Sequence, residues 1–457
     1  VSFGQETTGN IEGTVVDQSG GVVPGISVTV RSVGTSAGFR RNVTTRDDGS
    51  FSLQQVPPGT YEAVTSEAKG FGSSSVGNIF VTLGRTSSVN LVVKPGVSAI
   101  VDINATDSAV IDTTDQKIQT NITQKDFESV PKGTNFASLL KVAPAVRNEP
   151  TAGGIQIDGA SGSENTFVID GQEVTNFRTG TLNQNNNLPF QIIQEVQVKS
   201  SGFEAEFGGA TGGVINLVTK GGNNEFHGEA SISFQSLKLR GQNRGILLPF
   251  TRGGNQLSEY FQAPKDSGTN FFPSVSLGGP ILKDRIWFFG AYTPQFIERE
   301  RTIGSFDGRD PVSRQVVQND SYRFRQQNDY AFGRIDAAPT DKIRINGSYT
   351  WNPIAQEGLL PGLTSGLGGV GAIPSLTFLD GSTRTGPLLN DLRGGRQTSN
   401  NTNVQGTWTA TDNVIINARY GYSFLNEKLG NYGIPPAGQP RFLCSISSSN
   451  IPGEAGC

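Results

Sequence analysis

The chain has 457 residues, enough for two to four domains rather than one core. Charged residues make up 17% of it, the formal net charge is −3 and neither half carries a basic run, so the reading starts with no nucleic-acid partner. No segment reaches the roughly 20 consecutive apolar residues of a membrane-spanning helix, which excludes a helical membrane protein and leaves a membrane barrel open.

The 59 glycines, with abundant Asn, Ser and Thr and short β-branched and aromatic runs, predict strands and turns over helices. The chain starts at Val1 with neither Met nor a hydrophobic leader and reads as a processed product whose signal peptide has gone. Cys444 and Cys457 are the two cysteines, separated by polar sequence containing Gly and Pro. They read either as a loop disulfide of an oxidising compartment or as two reduced thiols.

From Asn10 onward, period-2 strands alternate with turn clusters. Ile11, Gly13 and Val15 share one face, the turn DQSGG follows, and Ile26, Val28 and Val30 resume it. Asp48-Gly49 is a hairpin signal that points Phe51 and Leu53 inward, and Pro57-Pro58-Gly59 precedes Tyr61 and Ala63. Phe80, Leu83, Val89, Leu91 and Val93 close the pattern, giving about seven short strands in a small antiparallel sandwich over residues 1–95. GTVVDQSGGVVPGISVTV and TTRDDGSFSLQQVPPGTYEAV resemble the carboxypeptidase regulatory-like domain, a module that brings no peptidase site. Asp47 and Asp48 read as turn residues, or alternatively as calcium ligands lacking a clustered third and fourth oxygen.

After Pro95 and Gly96 the chain loosens into a linker with a β-prone core. Thr134 is the expected N-cap of a helix whose apolar face is Phe136, Leu139, Leu140 and Ala143, ended by Pro144. Two strand and turn units end in Asp158-Gly159 and Asp170-Gly171. The loop LNQNNNLPF leads to IIQEVQVKS, where Ile193, Glu195 and Gln197 alternate with Ile192, Val196 and Val198. Then comes FEAEFGGATGGVINLVTKGG. Its Gly208, Gly209, Gly212 and Gly213 do not form a phosphate loop, because no Lys-Ser or Lys-Thr follows and no helix opens there. They predict close backbone approach, as between a plug and a wall.

This order resembles the plug domain of TonB-dependent outer-membrane receptors, and residues 1–222 as a unit resemble the Oar-like subgroup. The resemblance implies an α+β plug in 96–222 with Asp158, Gly159, Asp170, Gly171, Gly208, Gly209, Gly212, Gly213 and Asn216 as its motif. It also implies a TonB box, a mobile extended peptide that a TonB-like energy transducer reads by strand addition. Ala99, Ile100, Val101, Asp102, Ile103, Asn104 and Ala105 stand at the expected place; a plain linker or first plug strand is the alternative.

From residue 223 the rhythm changes to long strands in tight hairpins, turning at Lys283-Asp284, at Pro339 to Asp341 and at Thr411 to Asn413. Ile343, Ile345, Tyr349 and Trp351 sort against Lys342, Arg344, Asn346 and Ser348. Val404, Trp408, Val414, Ile416, Tyr420 and Tyr422 are the outward candidates of the third hairpin. Long and short connections alternate, as in outer-membrane barrels with short periplasmic turns and long external loops. Trp287, Trp351, Trp408, Tyr420 and Tyr422 are read as an aromatic girdle.

The fold class is therefore mainly β: a seven-strand sandwich, an α+β plug, and the first part of a transmembrane antiparallel barrel with about seven strands over 223–457. Plugged transporters have about 22 strands, so the chain reads as a fragment of a longer receptor or as a piece completed by other chains. As a fragment it would place both cysteines in an external loop.

His227 stands without a Cys or second His near it, and Glu204 and Glu206 read as solvated or lumen-facing, so no catalytic or metal site, no cofactor and no enzyme activity is expected. The expected function is energised transport of a large or scarce solute across the outer membrane, with outer-membrane lipid, the transducer, the solute and accessory surface proteins as partners. Its alternatives are a structural or adhesive surface protein and a secreted soluble β-domain binder. The sandwich and plug are expected on the periplasmic side, with the long loops outside.

Overall fold

The computed structural model describes residues 7–433 apart from 35–37, 69, 97–116, 131–132, 150–153, 177, 204–206, 208, 308–309, 364–374, 378–382, 391–392, 412–413 and 427–431. The TonB-box candidate 99–105, Gly208, Cys444 and Cys457 lie outside the described residues.

Seven strands build the front sandwich: β1 (Gly9–Asp17), β2 (Ser27–Ser32), β3 (Arg40–Thr44), β4 (Ser50–Val56), β5 (Gly59–Thr65), β6 (Ser75–Val81) and β7 (Thr86–Val93). They form two sheets, β4-β1-β7 and β3-β2-β5-β6. Ile11, Val15, Val28, Val30, Phe51, Leu53, Tyr61, Ala63, Leu91 and Val93 fill the space between, as their alternation predicts. A Cβ on Gly13 would meet the Phe51 ring, so the glycine makes room for it. The Asp48 carboxylate accepts hydrogen bonds from the Ser50 amide (2.9 Å) and hydroxyl (2.6 Å), which fits the turn role and not a calcium ligand.

Two expectations fail here. The sandwich is not wholly antiparallel, because β1 and β7 pair in parallel along their length. Phe80 is exposed, and Leu83 is buried outside the sandwich core, on the turn between β6 and β7. What covers that turn is the next domain.

The second unit holds β8 (Ile118–Thr123), α1 (Gln124–Ser129), β9 (Val146–Asn148), β10 (Ile155–Ile157), β11 (Thr166–Ile169), β12 (Gln172–Glu173), β13 (Ile193–Ser201) and β14 (Val214–Thr219). Its main sheet runs β12-β11-β14-β13-β8, with β11 and β14 parallel. The helix expected after Thr134 is instead two 3-10 turns, Phe136–Ser138 and Leu140–Val142, with Asn135 as the cap. All four residues of its predicted apolar face are buried, so burial was legible and the backbone form was not. The helix that does form, α1, has a capping box in which Thr123 and Asp126 hold each other's end of the first turn.

The wall comprises β15 (His227–Ser236), β16 (Ile246–Arg252), β17 (Asn255–Phe261), β18 (Thr269–Leu282), β19 (Ile286–Tyr292), β20 (Gln295–Phe306), β21 (Val316–Asn328), β22 (Ala331–Thr340), β23 (Ile343–Glu357), a small hairpin β24 (Ser375–Thr377) and β25 (Thr383–Thr385), then β26 (Arg393–Thr411) and β27 (Val414–Asn426). β16 and β17 form a separate hairpin.

The stretch after Tyr292 holds two further strands rather than a long connection. β20 continues β19 across Thr293-Pro294, and β21 runs into β22 across Asp329-Tyr330; the Thr293 amide donates to the Tyr330 carbonyl (2.9 Å) across this joint. Proline has no amide for the ladder, which accounts for the break. Counted as continuous strands, the main sheet among the described residues has seven: β15, β18, β19 with β20, β21 with β22, β23, β26 and β27. Among the described residues the sheet is open, its edges being β15 and β27.

One face of this wall is an apolar band. Val275, Leu277, Ile335, Ile345, Tyr349, Trp351, Val404, Trp408, Val414, Ile416, Tyr420 and Tyr422 are all exposed on it. The other face is polar and largely buried: Arg334, Asp336, Thr350, Asn352, Gln397, Ser399, Asn403 and Gln405. Apolar outside and polar inside is the alternation of a membrane barrel strand, the reverse of a soluble sandwich.

Candidate functional site

The polar face of the wall is occupied by the second unit, and the junction between them is the candidate site. Asp170 and Gly171 form a two-residue hairpin turn between β11 and β12, both with positive φ (48° and 78°), the conformation that Asp-Gly favours. This turn projects into the wall. The Asp170 carboxylate accepts from the Thr219 amide (2.9 Å) and hydroxyl (2.7 Å) within its own unit, and from the Ser348 hydroxyl of β23 (3.3 Å). Arg334 of β22 stands 3.7 Å from it and donates to the Thr219 carbonyl (3.0 Å). Asn403 of β26 donates to the Asp170 carbonyl, and Arg419 of β27 to that of Gly171 (3.3 Å). One turn thus touches four wall strands.

Behind this contact Asp336, fully buried, bridges Arg334 (2.9 Å) and Arg344 (3.1 Å). Each buried charge has an opposite partner and hydrogen bonds, the condition under which burial is tolerated.

A second set of contacts comes from the Asn-rich loop, which carried no functional expectation. Asn185 and Asn352 exchange amide-to-carbonyl bonds (2.6 Å each way). Gln397 donates to Asn183 (3.0 Å) and Asn401 to Asn186 (3.0 Å). The signal that could have found them is the run of short amides itself, each with a donor and an acceptor and none with an apolar stem to bury. A small apolar seam, Phe289, Ala291, Tyr330 and Phe332 of the wall, joins the core of the second unit.

Such a junction is strong while dry, yet every one of its polar groups can trade its partner for water. The cavity at the junction, about 40 Å³ beside Thr7, Asp170, Arg334 and Gln405, has room for a water or two and not for a solute.

The other sequence-derived residues fall elsewhere. Asp158-Gly159 has the same positive-φ geometry (48° and 85°) but sits away from the wall, with Asp158 exposed. Gly209 is an exposed turn with φ of 88°. Gly212 and Gly213 do require close approach, but within their own unit: a Cβ would meet Asn165 and Ala160 at the first and Ile157 and the Lys199 carbonyl at the second. Gly171 is the motif glycine that meets the wall, at Arg419, and Gly222, outside the predicted motif, meets it too: its Cβ would collide with the backbone of Phe288. Asn216 is buried in the central strand beside Gln197. Trp351, Trp408, Tyr420 and Tyr422 lie on the outward face, whereas Trp287 does not. It is 2% exposed on the inner face, stacked over Gly38 of the sandwich, and its indole N–H donates to Asn224 (2.8 Å). Among the described residues no cluster of three or more potential metal ligands is present.

A sandwich, a plug-like unit seated on a polar face, and a wall with an apolar outer face are the parts of a membrane-barrel protein that carries a plug in its own chain. Residues 10–94 match the carboxypeptidase regulatory-like domain and residues 111–214 the TonB-dependent receptor plug domain. The chain is 31% identical over 313 residues to the TonB-dependent transporter Oar of Myxococcus xanthus, a match covering 66% of this chain and 28% of that protein. It is 26% identical over 209 residues to the probable TonB-dependent siderophore receptor PirA of Acinetobacter baumannii, covering 40% and 24%. The crystal structure of the siderophore receptor PirA from Acinetobacter baumannii superposes with a TM-score of 0.42 at 16% identity, covering 64% of this chain and 37% of that one. The chain thus carries a regulatory-like domain followed by the plug domain of TonB-dependent receptors, and along two thirds of its length it is similar to a TonB-dependent transporter. It spans about a quarter of the length of the curated relatives it matches. Its relatives are transporters and receptors, and receptors of this family are outer-membrane proteins.

Proposed function

We propose that the chain forms the entrance domain, plug and first wall strands of an energised outer-membrane transporter for a large or scarce solute. The division runs 1–95, 96–222 and 223–457. The sandwich and plug face the periplasm, the long connections such as that carrying β16 and β17 face outward, and the apolar band meets lipid. A TonB-like transducer adds a strand to 99–105 and pulls. The observation that carries the reading is the Asp170 turn: a plug joined to its wall mainly by exchangeable polar contacts is one that force can shift without exposing much apolar core.

The test is a cysteine at Val101 in the protein in its own membrane, paired with cysteines in the transducer's periplasmic domain. A disulfide that forms only with the transducer energised supports the reading. No bridge at any of the seven positions 99–105 overturns it. One observation favours an adhesive role instead: the β16 and β17 hairpin exposes the cross-strand pair Leu247 and Tyr260 on one face. That role predicts surface binding that survives loss of the transducer.

A further inference from the structure

The front sandwich grips the plug at the strand from which the plug would be pulled. Its turn between β6 and β7 lies on the polar face of the plug sheet. There the Leu83 amide donates to the Glu195 carboxyl (3.0 Å), and the Leu83 carbonyl accepts from Gln197 (2.9 Å), Asn121 (3.0 Å) and Gln119 (3.3 Å). Arg85 adds a bond to the Gln119 carbonyl (3.3 Å). Glu195 and Gln197 are buried beneath the turn, and Leu83 has no exposed surface. This explains why Leu83 left the sandwich core, and why β13 carries polar residues on a face that alternation would assign to water.

The sandwich has a second footing on the wall and the plug's end. Gly38 donates to the Gly222 carbonyl (2.9 Å), its own carbonyl accepts from Arg344, and Trp287 lies across it. Thr7 bonds Gln405 (3.2 Å).

The gripped strand matters because of its place. β8 is the edge of the plug sheet, held by a ladder to β13 on one side only, and it is the first plug strand after the segment 97–116. An edge strand unzips from its end one pair at a time, so it is where a pull on that segment begins to open the sheet. The side chains of Gln119 and Asn121 and the main chain of β8 are tied to the sandwich turn, and the sandwich is tied to the wall. β8 cannot peel from β13 until Thr82 to Arg85 has let go.

We propose that the regulatory-like domain is an autoinhibitory clamp: its Thr82 to Arg85 turn, seated on Gln119, Asn121, Glu195 and Gln197, holds the plug closed. Its release is then a required step before the plug opens. The proposal rests on the reading of 96–222 as a plug that moves.

The experiment uses the protein extracted from its membrane and reconstituted in planar bilayers, with urea as the probe of plug release, read as the onset of conductance steps. Leu83→Asp puts a carboxylate at a position with no exposed surface and is expected to lower the urea concentration of onset. Phe80→Asp, at an exposed site beside it, is expected to leave onset unchanged. A disulfide between Leu83→Cys and Asn121→Cys is expected to raise onset and to be reversed by reductant. Hydrogen exchange guards against misfolding: Leu83→Asp should speed the amides of 118–123 by about tenfold or more while those of β1 and β5 in the sandwich core stay protected. Equal onset with and without the disulfide, or Leu83→Asp matching Phe80→Asp, overturns the clamp. Failure of the transport reading registers separately, as the missing transducer disulfide at 99–105.

Discussion

Asp158-Gly159 and Asp170-Gly171 are the same dipeptide in the same left-handed turn, and only the second meets the wall. Replacing each aspartate by asparagine keeps a residue that tolerates positive φ, so the comparison isolates the carboxylate's tertiary role. At 3.7 Å from Arg334, the Asp170 charge is worth about 4 kcal/mol at an effective dielectric of about 20. Arg334 keeps Asp336, and the new amide oxygen still accepts from the Thr219 N–H, so about half of that is lost on Asp170→Asn. Some 2 kcal/mol is about a 30-fold rise in the opening equilibrium of the plug at this contact. Native-state hydrogen exchange at the Thr219 amide and along 214–219 measures it directly. Asp158→Asn, at an exposed site, should change the same amides by less than about twofold. Equal, small effects from both substitutions would refute the assignment of Asp170 as the bond between plug and wall.

Burial pushes the Glu195 carboxyl up to about 7, with the Asp126 charge adding to it and the Asn121 amide, the Leu83 N–H and Arg85 opposing it. An acid raised from 4.5 favours the folded plug fully while protonated; that stability is lost as pH climbs from about 4.5 to 7 and is flat above. The protected amides of β13 should therefore exchange faster at pH 8 than at pH 5, by an opening energy of order 3 kcal/mol at most, and Glu195→Gln should flatten the profile; an unchanged slope would contradict this. Val404→Arg puts a charge in the apolar band and should cost about 2–4 kcal/mol of insertion into lipid vesicles, whereas Thr251→Arg on the outer hairpin should not register. Gly222→Ala drives a methyl into the Phe288 backbone and should loosen the plug's end, seen as faster proteolysis near 220–224, while Gly241→Ala, with open space around it, should not.

Local chemistry made much of this protein legible from the chain alone. Asp-Gly turns at 48, 158 and 170, strict alternation in 343–351 and 404–422, and the sandwich core residues all follow from preferences that act over two to four residues. The apolar burial of Phe136, Leu139, Leu140 and Ala143 was equally readable, because hydrophobicity does not depend on which kind of turn delivers it.

Tertiary structure alone decided the rest, wherever both faces of a segment carry the same sort of residue. IWFFGAY is apolar on either side, so only the sandwich loop and plug lying against it turn Trp287 inward. QFIERERTIGSF and VVQNDSYRFRQQN carry polar residues on both faces and declare themselves strands only by pairing with each other. Leu83, Asn185, Glu195 and Arg334 draw their meaning from partners roughly 40 to 170 positions away, and a pattern with a period of two or 3.6 residues holds no record of contacts at that range.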